Sequence, residues 1–196
     1  MLQGLSTTAT HLGLLFGAMA IGASWVAAIA SPNPKKRLRV NAVGMRALLP
    51  VAHARDGVLV ARTHGAVSAA LISAPPYGYP LPPPPFVQRL WCFLGQGVQV
   101  SSRWNQVFKV LNGAHPDEPH WYLSSLGVDP PFQGRGIGGV LLSAWLADVD
   151  RSADPAYLET DMEVNLDFYH REGFEPVGEL DVLGVRVWCM RRLPRK

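Results

Sequence analysis

Cysteine is scarce in this chain, and the two that occur lie far from each other. Among 196 residues only Cys92 and Cys189 are present. They form no C-x-x-C pair, and no His/Cys group has zinc spacing, so neither a disulfide framework nor a metal site is expected. Both read as buried free thiols in a reducing, cytoplasmic compartment. Charge is thin as well. Charged residues make up 17% against 48% hydrophobic, which excludes a disordered chain. Neither sign dominates: 18 Lys and Arg face 15 Asp and Glu, for a net +3. The basic clusters Lys35-Lys36-Arg37-Leu38-Arg39 and Arg191-Arg192-Leu193-Pro194-Arg195-Lys196 are not interleaved with aromatics on a nucleic-acid module, so no nucleic-acid partner is expected. No internal repeat is visible. The length suits one domain over residues 1–196.

Charge is missing altogether from Leu12 to Ala30. Such a run approaches a membrane span, Lys35-Lys36-Arg37 follows it like a stop-transfer flank, and Ala28-Ile29-Ala30 mimics a signal-peptidase site. Against export, no Lys or Arg precedes it. Against a span, it is rich in Gly and Ala, and Leu12, Leu15, Phe16 and Met19 fall at helical spacing. A packed core helix is the favoured reading, with 1–34 an atypical apolar N-terminal region and no membrane role.

Glycine and proline, by contrast, are concentrated where they matter. Pro75 to Pro85 is the one low-complexity stretch. It reads as a stiff connection whose two tyrosines, with Phe86, pack back on the domain. The segment Gln133-Gly134-Arg135-Gly136-Ile137-Gly138-Gly139 follows the apolar run Trp121 to Val128 and leads into Val140-Leu141-Leu142. The order is strand, short connection, glycine-rich turn, helix. The first amides of such a helix have no intrahelical acceptors and sit at the positive end of its dipole, a setting for a pyrophosphate. A P-loop is excluded, because Val140 and Leu141 stand where Lys and Ser or Thr are needed. The dinucleotide fingerprint is met formally by Gly134, Gly136 and Gly139, with Glu159 about 20 residues on. Too little chain follows to complete a doubly wound sheet.

The remaining elements alternate. Helices are expected from Lys35 to about Leu49, Phe86 to Gly95 and Ser101 to Leu111. Trp91, Phe93, Trp104 and Phe108 serve as apolar anchors of the last two. Strands are expected at 57–62 and 66–72 around the turn Thr63-His64-Gly65, then at 120–128 and 156–160. A helix over 163–172 and a final hairpin over 174–191 complete the chain.

Gln133, Gly136 and Gly138 spell Q-x-x-G-x-G directly after a strand ending in Leu-Gly-Val-Asp-Pro. Downstream come Leu158-Glu159-Thr160, Asn165-Leu166-Asp167-Phe168-Tyr169 and Gly173-Phe174. Together these resemble the GNAT superfamily of N-acetyltransferases. The ending Val187-Trp188-Cys189-Met190 is similar to puromycin N-acetyltransferase and its bacterial relatives. The resemblance is strong over 119–192, the expected cofactor-binding and catalytic half, weaker over 57–118 and poor before about residue 34. It implies a mixed α/β single domain with a central, mostly antiparallel, splayed sheet flanked by helices. The family's opening strand is not evident in Met1 to Thr10, and an open sheet edge there could pair with a second subunit as a homodimer.

The same resemblance implies acetyl-CoA as co-substrate, with no metal, and a small-molecule primary amine as acceptor. A protein amine acceptor and a non-catalytic acyl-CoA-binding domain are the alternatives. Leu126, Gly127 and Val128 would meet the pantetheine arm, with a bulge at Gly127 and the Val128 N–H as oxyanion donor. Gln133, Gly134, Arg135, Gly136, Ile137, Gly138 and Gly139 would take the pyrophosphate. Asn165 would meet the pantetheine arm and also cap its helix. Tyr169, four residues on, would give a proton to the departing thiolate. Glu159 is a candidate base at the end of its strand, as is His120 with Asp117 and Glu118 before it. The loop at Pro75 to Pro85 would border the acceptor pocket.

Overall fold

The computed structural model describes residues 31–195; the uncharged segment from Leu12 to Ala30 and the first ten residues lie outside that range. Chain entry is set by Asn33, whose Oδ1 accepts from the N–H groups of Lys35 and Lys36 at 3.0 and 3.3 Å, an N-cap that starts helix α1, Pro34–His53. The helix runs past Leu49, and Pro50 sits inside it. A hairpin follows, β1 (Val58–Thr63) and β2 (Ala66–Ala74), turned by His64 and Gly65 at φ 51° and 81°. Positive φ at both turn positions matches the right-handed twist of the strands.

Next come α2 (Phe86–Gln96), α3 (Val98–Asn112), β3 (Trp121–Val128) and α4 (Ile137–Ser152). The chain then forms β4 (Ala156–Thr160), a short turn of 3-10 helix over Glu163–Asn165, α5 (Leu166–Arg171), β5 (Glu175–Val182) and β6 (Val185–Arg192). Six strands form one sheet in the order β1-β2-β3-β4-β6-β5. Every neighbouring pair is antiparallel except β3 with β4. This is the mixed α/β domain with a mostly antiparallel sheet that the resemblance implies.

Two faces of the sheet are covered. On one, α4 presents Leu141, Leu142, Trp145, Leu146 and Val149 to Leu71, Leu123, Leu158 and Met190, and Tyr169 and Phe174 join the same cluster. Each of those buried aliphatics contributes about 1.5–3 kcal/mol by removal from water. On the other, α1 covers β2 through Leu49 and Ala52, and α3 covers β6 through Val107 and Leu111. β2 is covered from both sides, which explains its small apolar sequence.

Three expectations fail here. Trp91, Phe93 and Phe108 are exposed, at 68%, 43% and 51%. Of the other expected anchors, Trp104 alone packs inward. α1 and α2 approach closely through glycines: a Cβ on Gly95 would meet Val43 Cγ1 at 2.9 Å, and one on Gly44 would meet Gln96 Nε2 at 2.8 Å. In the proline-rich connection Tyr79 packs back, whereas Tyr77 and Phe86 are 88% and 75% exposed. The single helix expected over 163–172 is a 3-10 turn followed by a short α-helix.

Candidate active site

The parallel strands β3 and β4 pair over only three residues: Trp121 with Ala156, Tyr122 with Tyr157, and Leu123 with Leu158. Beyond that rung β3 stays with β2, up to Val128 opposite Ala69. β4 stays with β6, where Glu159 lies opposite Cys189 and Thr160 opposite Trp188. The sheet therefore opens into a slot between 124–128 and 159–160. The irregularity that bends β3 lies at Ser124, the residue passed over between the pairs Ser73–Leu123 and Ile72–Ser125. The expected bulge at Gly127 is absent; Gly127 is in register with Ala70.

Strand alternation decides which backbone groups line the slot. The Asp129 N–H donates to Ser68 O on β2 at 2.9 Å. One residue earlier the edge is reversed, so Val128, and Leu126 with it, turns N–H and C=O toward the slot. The Val128 carbonyl accepts from Gln133 Nε2 at 2.9 Å, so Gln133 braces the strand end against the glycine turn. The Val128 N–H is left facing the slot, as its expected role as a donor requires.

Below the slot the glycine turn forms an arc of amides. Gly134 and Gly136 have φ of 72° and 74°, values that would strain any residue with a Cβ. The first bond into α4 runs from the Val140 N–H to Gly136 O at 3.1 Å. From Gly134 to Gly139 no backbone N–H finds an acceptor among the described residues. A Cβ at Gly134, Gly136 or Gly139 would meet nothing within 4 Å, while one at Gly138 would press on Val128 Cγ2 at 3.3 Å. Gly138 thus seats the helix against β3, and the others keep the outer surface of the turn open. Ile137 packs inward with the core. The Arg135 guanidinium lies over the Phe132 ring, 5.7 Å from its centroid.

Asn165 donates from Nδ2 to Thr160 Oγ1 at 3.2 Å, latching the turn to the end of β4. It makes no capping bond to α5, so that part of its expected role is not realised. Tyr169 is 9% exposed and packs edge-on to Phe168 and Phe174, in the cluster that holds Leu123 and Leu158. Burial pushes its phenol pKa well above the ordinary value. Its hydroxyl has no hydrogen-bond partner among the described residues.

Glu159 occupies the opposite face. It is the first β4 residue beyond the last rung, and its Oε1 lies 3.2 Å from His115 Nε2, with both side chains about 5% exposed, at 5% and 6%. His115 Nδ1 is 3.1 Å from His120 Nε2, and His120 Nδ1 is 2.8 Å from Glu118 O. The Tyr79 ring from the proline-rich connection stacks on His115 with centroids 3.7 Å apart. Tyr122 and Tyr157 complete the cluster. Sequence reasoning missed His115 entirely. It stands in an irregular loop after α3, where spacing carries no signal; only the fold brings it to β4. A slot in the sheet, an arc of free amides at its mouth, a protonated phenol on one face and a carboxylate on the other is a layout for group transfer with proton exchange.

Residues 100–176 match a family model described as acetyltransferase (GNAT) domain. Over that stretch, which runs from α3 to the start of β5, the chain is similar to GNAT acetyltransferases. Its fold is similar to that of an N-acetyltransferase from Staphylococcus aureus Mu50, with a TM-score of 0.57, 14% identity and coverage of 93% of this chain and 94% of that one. It is also similar to a protein described as histone acetyltransferase HPA2 and related acetyltransferase from Corynebacterium glutamicum ATCC 13032, with a TM-score of 0.54, 22% identity and coverage of 78% and 75%. A structure named as an acetyltransferase aligns over 95% of both chains with a TM-score of 0.53 and 18% identity. At these identities the likeness establishes the GNAT fold. A doubly wound dinucleotide domain is excluded, since the sheet has one parallel pair. No helix among the described residues is long and apolar enough to cross a membrane.

Proposed function

We propose that this domain moves an acetyl group from acetyl-CoA to the primary amine of a small molecule, by direct attack in a ternary complex. The observation that carries this is the slot between β3 and β4 with the amide arc of Gly134 to Gly139 at its mouth. The residues fit the co-substrate. The arc offers unpaired donors and open space above Gly134, Gly136 and Gly139 for a pyrophosphate. The slot edge of Leu126 and Val128 offers an extended backbone to the amides of a pantetheine arm, with Asn165 beside the end of β4. When bound, acetyl-CoA supplies an activated thioester.

The chain's own groups divide the remaining work. The Val128 N–H, aimed into the slot, donates where negative charge develops on a carbonyl oxygen. Tyr169, its pKa raised by burial, stays protonated at neutral pH and donates a hydrogen bond, then a proton, to the departing sulfur. Glu159 faces the other side, where an amine would enter between the proline-rich connection and β4. Cys189 offers no competing route through an acetyl-enzyme, since it is 4% exposed and burial raises its thiol pKa. The similarity of Val187 to Met190 to puromycin N-acetyltransferase favours an aminonucleoside or related antibiotic as acceptor. The free thiols favour a cytoplasmic setting.

Calorimetric titration with acetyl-CoA, with acetate and a nicotinamide dinucleotide as controls, tests the first half of this assignment. Thiol release with a panel of small amines and of peptide amines tests the second. Saturable binding of acetyl-CoA alone with turnover on small amines supports the proposal. Turnover confined to peptides moves the acceptor to protein, and binding without turnover on any amine makes the domain an acyl-CoA sensor.

A further inference from the structure

Helix α2 is amphipathic the wrong way round. None of its residues is buried. Phe86, Val87, Leu90, Trp91 and Leu94 stand at i, i+1, i+4, i+5 and i+8, so they share one stripe, and each is between 45% and 75% exposed. The side that meets the protein is small and polar. Gly95 lies against Val43, and Gln96 Nε2 donates to Val40 O on α1 at 3.0 Å. By helical geometry the apolar stripe is centred opposite that contact. A contiguous exposed stripe of this kind marks a surface that meets a partner.

Charge decides which partner. Helices α1, α2 and α3 contain no Asp or Glu. From Met1 to Pro116 the chain holds one acidic residue, Asp56, against ten Lys and Arg, and the other fourteen acidic residues all lie between Asp117 and Asp181. Lys35, Lys36, Arg39 and Arg46 on α1, Arg89 on α2 and Lys109 on α3 are exposed. A second copy would set one carboxylate-free basic surface against another. Nucleic acid would stack on Trp91 and Phe86 and leave Val87, Leu90 and Leu94 uncovered. An anionic bilayer answers both features: its headgroups draw the cations, and the boundary of its acyl chains takes the apolar stripe.

We propose that the domain attaches peripherally to an anionic lipid surface through α2, with Trp91 and Leu94 entering the headgroup region and the cations of the three helices held by the surface charge. This is attachment to a surface and not a span, since no described helix is long and apolar enough to cross. It replaces the expectation that the chain has no membrane role. Helix α4, which the glycine turn starts, lies across the sheet from α1 and α3. The amide arc therefore stays in water while α2 is docked.

Co-sedimentation of the full chain with phosphatidylcholine vesicles, with and without added phosphatidylserine, tests the attachment. Wild-type protein should sediment only with the anionic vesicles, and added salt should release it. W91A and L94A should each weaken that binding by about fivefold or more. R89E should weaken it by about fivefold or more as well. All three should keep the wild-type Tm. No sedimentation, equal sedimentation with neutral vesicles, or W91A binding like wild type would each overturn the proposal. A wild-type dimer that W91A dissociates would assign the stripe to a second copy, and a single-stranded oligonucleotide bound where vesicles are not would assign it to nucleic acid; either result overturns it. Acrylamide quenching closes the last route. If the Trp91 signal, taken as wild type minus W91F, is already shielded in vesicle-free protein, the chain covers its own stripe and the attachment falls.

Discussion

Arg192 is 2% exposed on the last strand, and its charge is met almost entirely by Asp150 near the end of α4. Two bonds run from its guanidinium to the carboxylate, at 2.6 and 2.9 Å, and a third runs from Nε to Glu172 O at 2.9 Å. The Arg195 N–H also donates to Asp150 Oδ1, at 2.8 Å. Replacing Asp150 by Ala leaves a buried guanidinium with one protein acceptor. Breaking a buried pair from one side costs about 3–5 kcal/mol. The Asp150 side chain is 28% exposed, so water can reach the vacated position, and about 3 kcal/mol is expected. For a domain of this size that lowers Tm by about 6–12 °C, measured by calorimetry or circular dichroism at pH 7. D150N, which keeps one acceptor oxygen, should lie between. The pH dependence has a definite sign. Hydrogen bonds from Arg192 hold the Asp150 pKa below its ordinary value of 3.8, so its contribution is complete above that value. It disappears as pH falls through the folded pKa. The gap between wild type and D150A should therefore close below about pH 4. A Tm loss under about 2 °C at pH 7, or a gap that widens in acid, would refute this account of the clamp.

Other perturbations separate catalysis from folding. Y169F removes a hydroxyl that holds no described partner, so Tm should stay within about 2 °C while kcat falls roughly 10²-fold or more; equal kcat values would remove Tyr169 from the reaction. G134A forces a Cβ onto a residue at φ 72° but into open space, so it should cost about 1–2 kcal/mol of stability. If the amide arc binds a pyrophosphate, the same change should weaken acetyl-CoA by about tenfold or more in calorimetry; unchanged affinity would return the turn to a purely structural role. At Gly57 a Cβ would sit 2.2 Å from Ser73 O, so G57A should be the costlier glycine change in denaturant melts, by about 1–3 kcal/mol or more, with no specific effect on ligand affinity.

Legibility followed the range of the interactions. The strand–turn–helix from β3 into α4 was readable because its signal is local: glycines at fixed offsets, then apolar residues at helical spacing. The same holds for the hairpin at His64-Gly65 and for β4, found where the sequence placed it. Side-chain direction was less readable. Nothing local says that Gly44 and Gly95 bring α1 and α2 together, or that Trp91 is exposed. The bend in β3 fell at Ser124 because register depends on β2, which lies far away in sequence. Within the candidate site, Glu159, Asn165 and Tyr169 were named through a spaced motif that resembles a family pattern. His115 was invisible, because its partners lie on β4 and on the loop before β3.

Only three rungs join the two halves of the sheet. One leaf is β1-β2-β3, the other β4-β6-β5, and the covalent bridge between them is α4. Hydrogen-bond cooperativity across the middle of the molecule is therefore low, and the seam is where native-state opening should be cheapest. Amides of Leu126 and Val128 on the slot edge should exchange with solvent far faster than those β3 shares with β2, which gives the empty protein a built-in fault line. A molecule lying along that edge would act as a missing seventh strand. Its binding would register as slowed exchange and raised cooperativity through both leaves, so occupancy and rigidity in this fold are two readouts of one event.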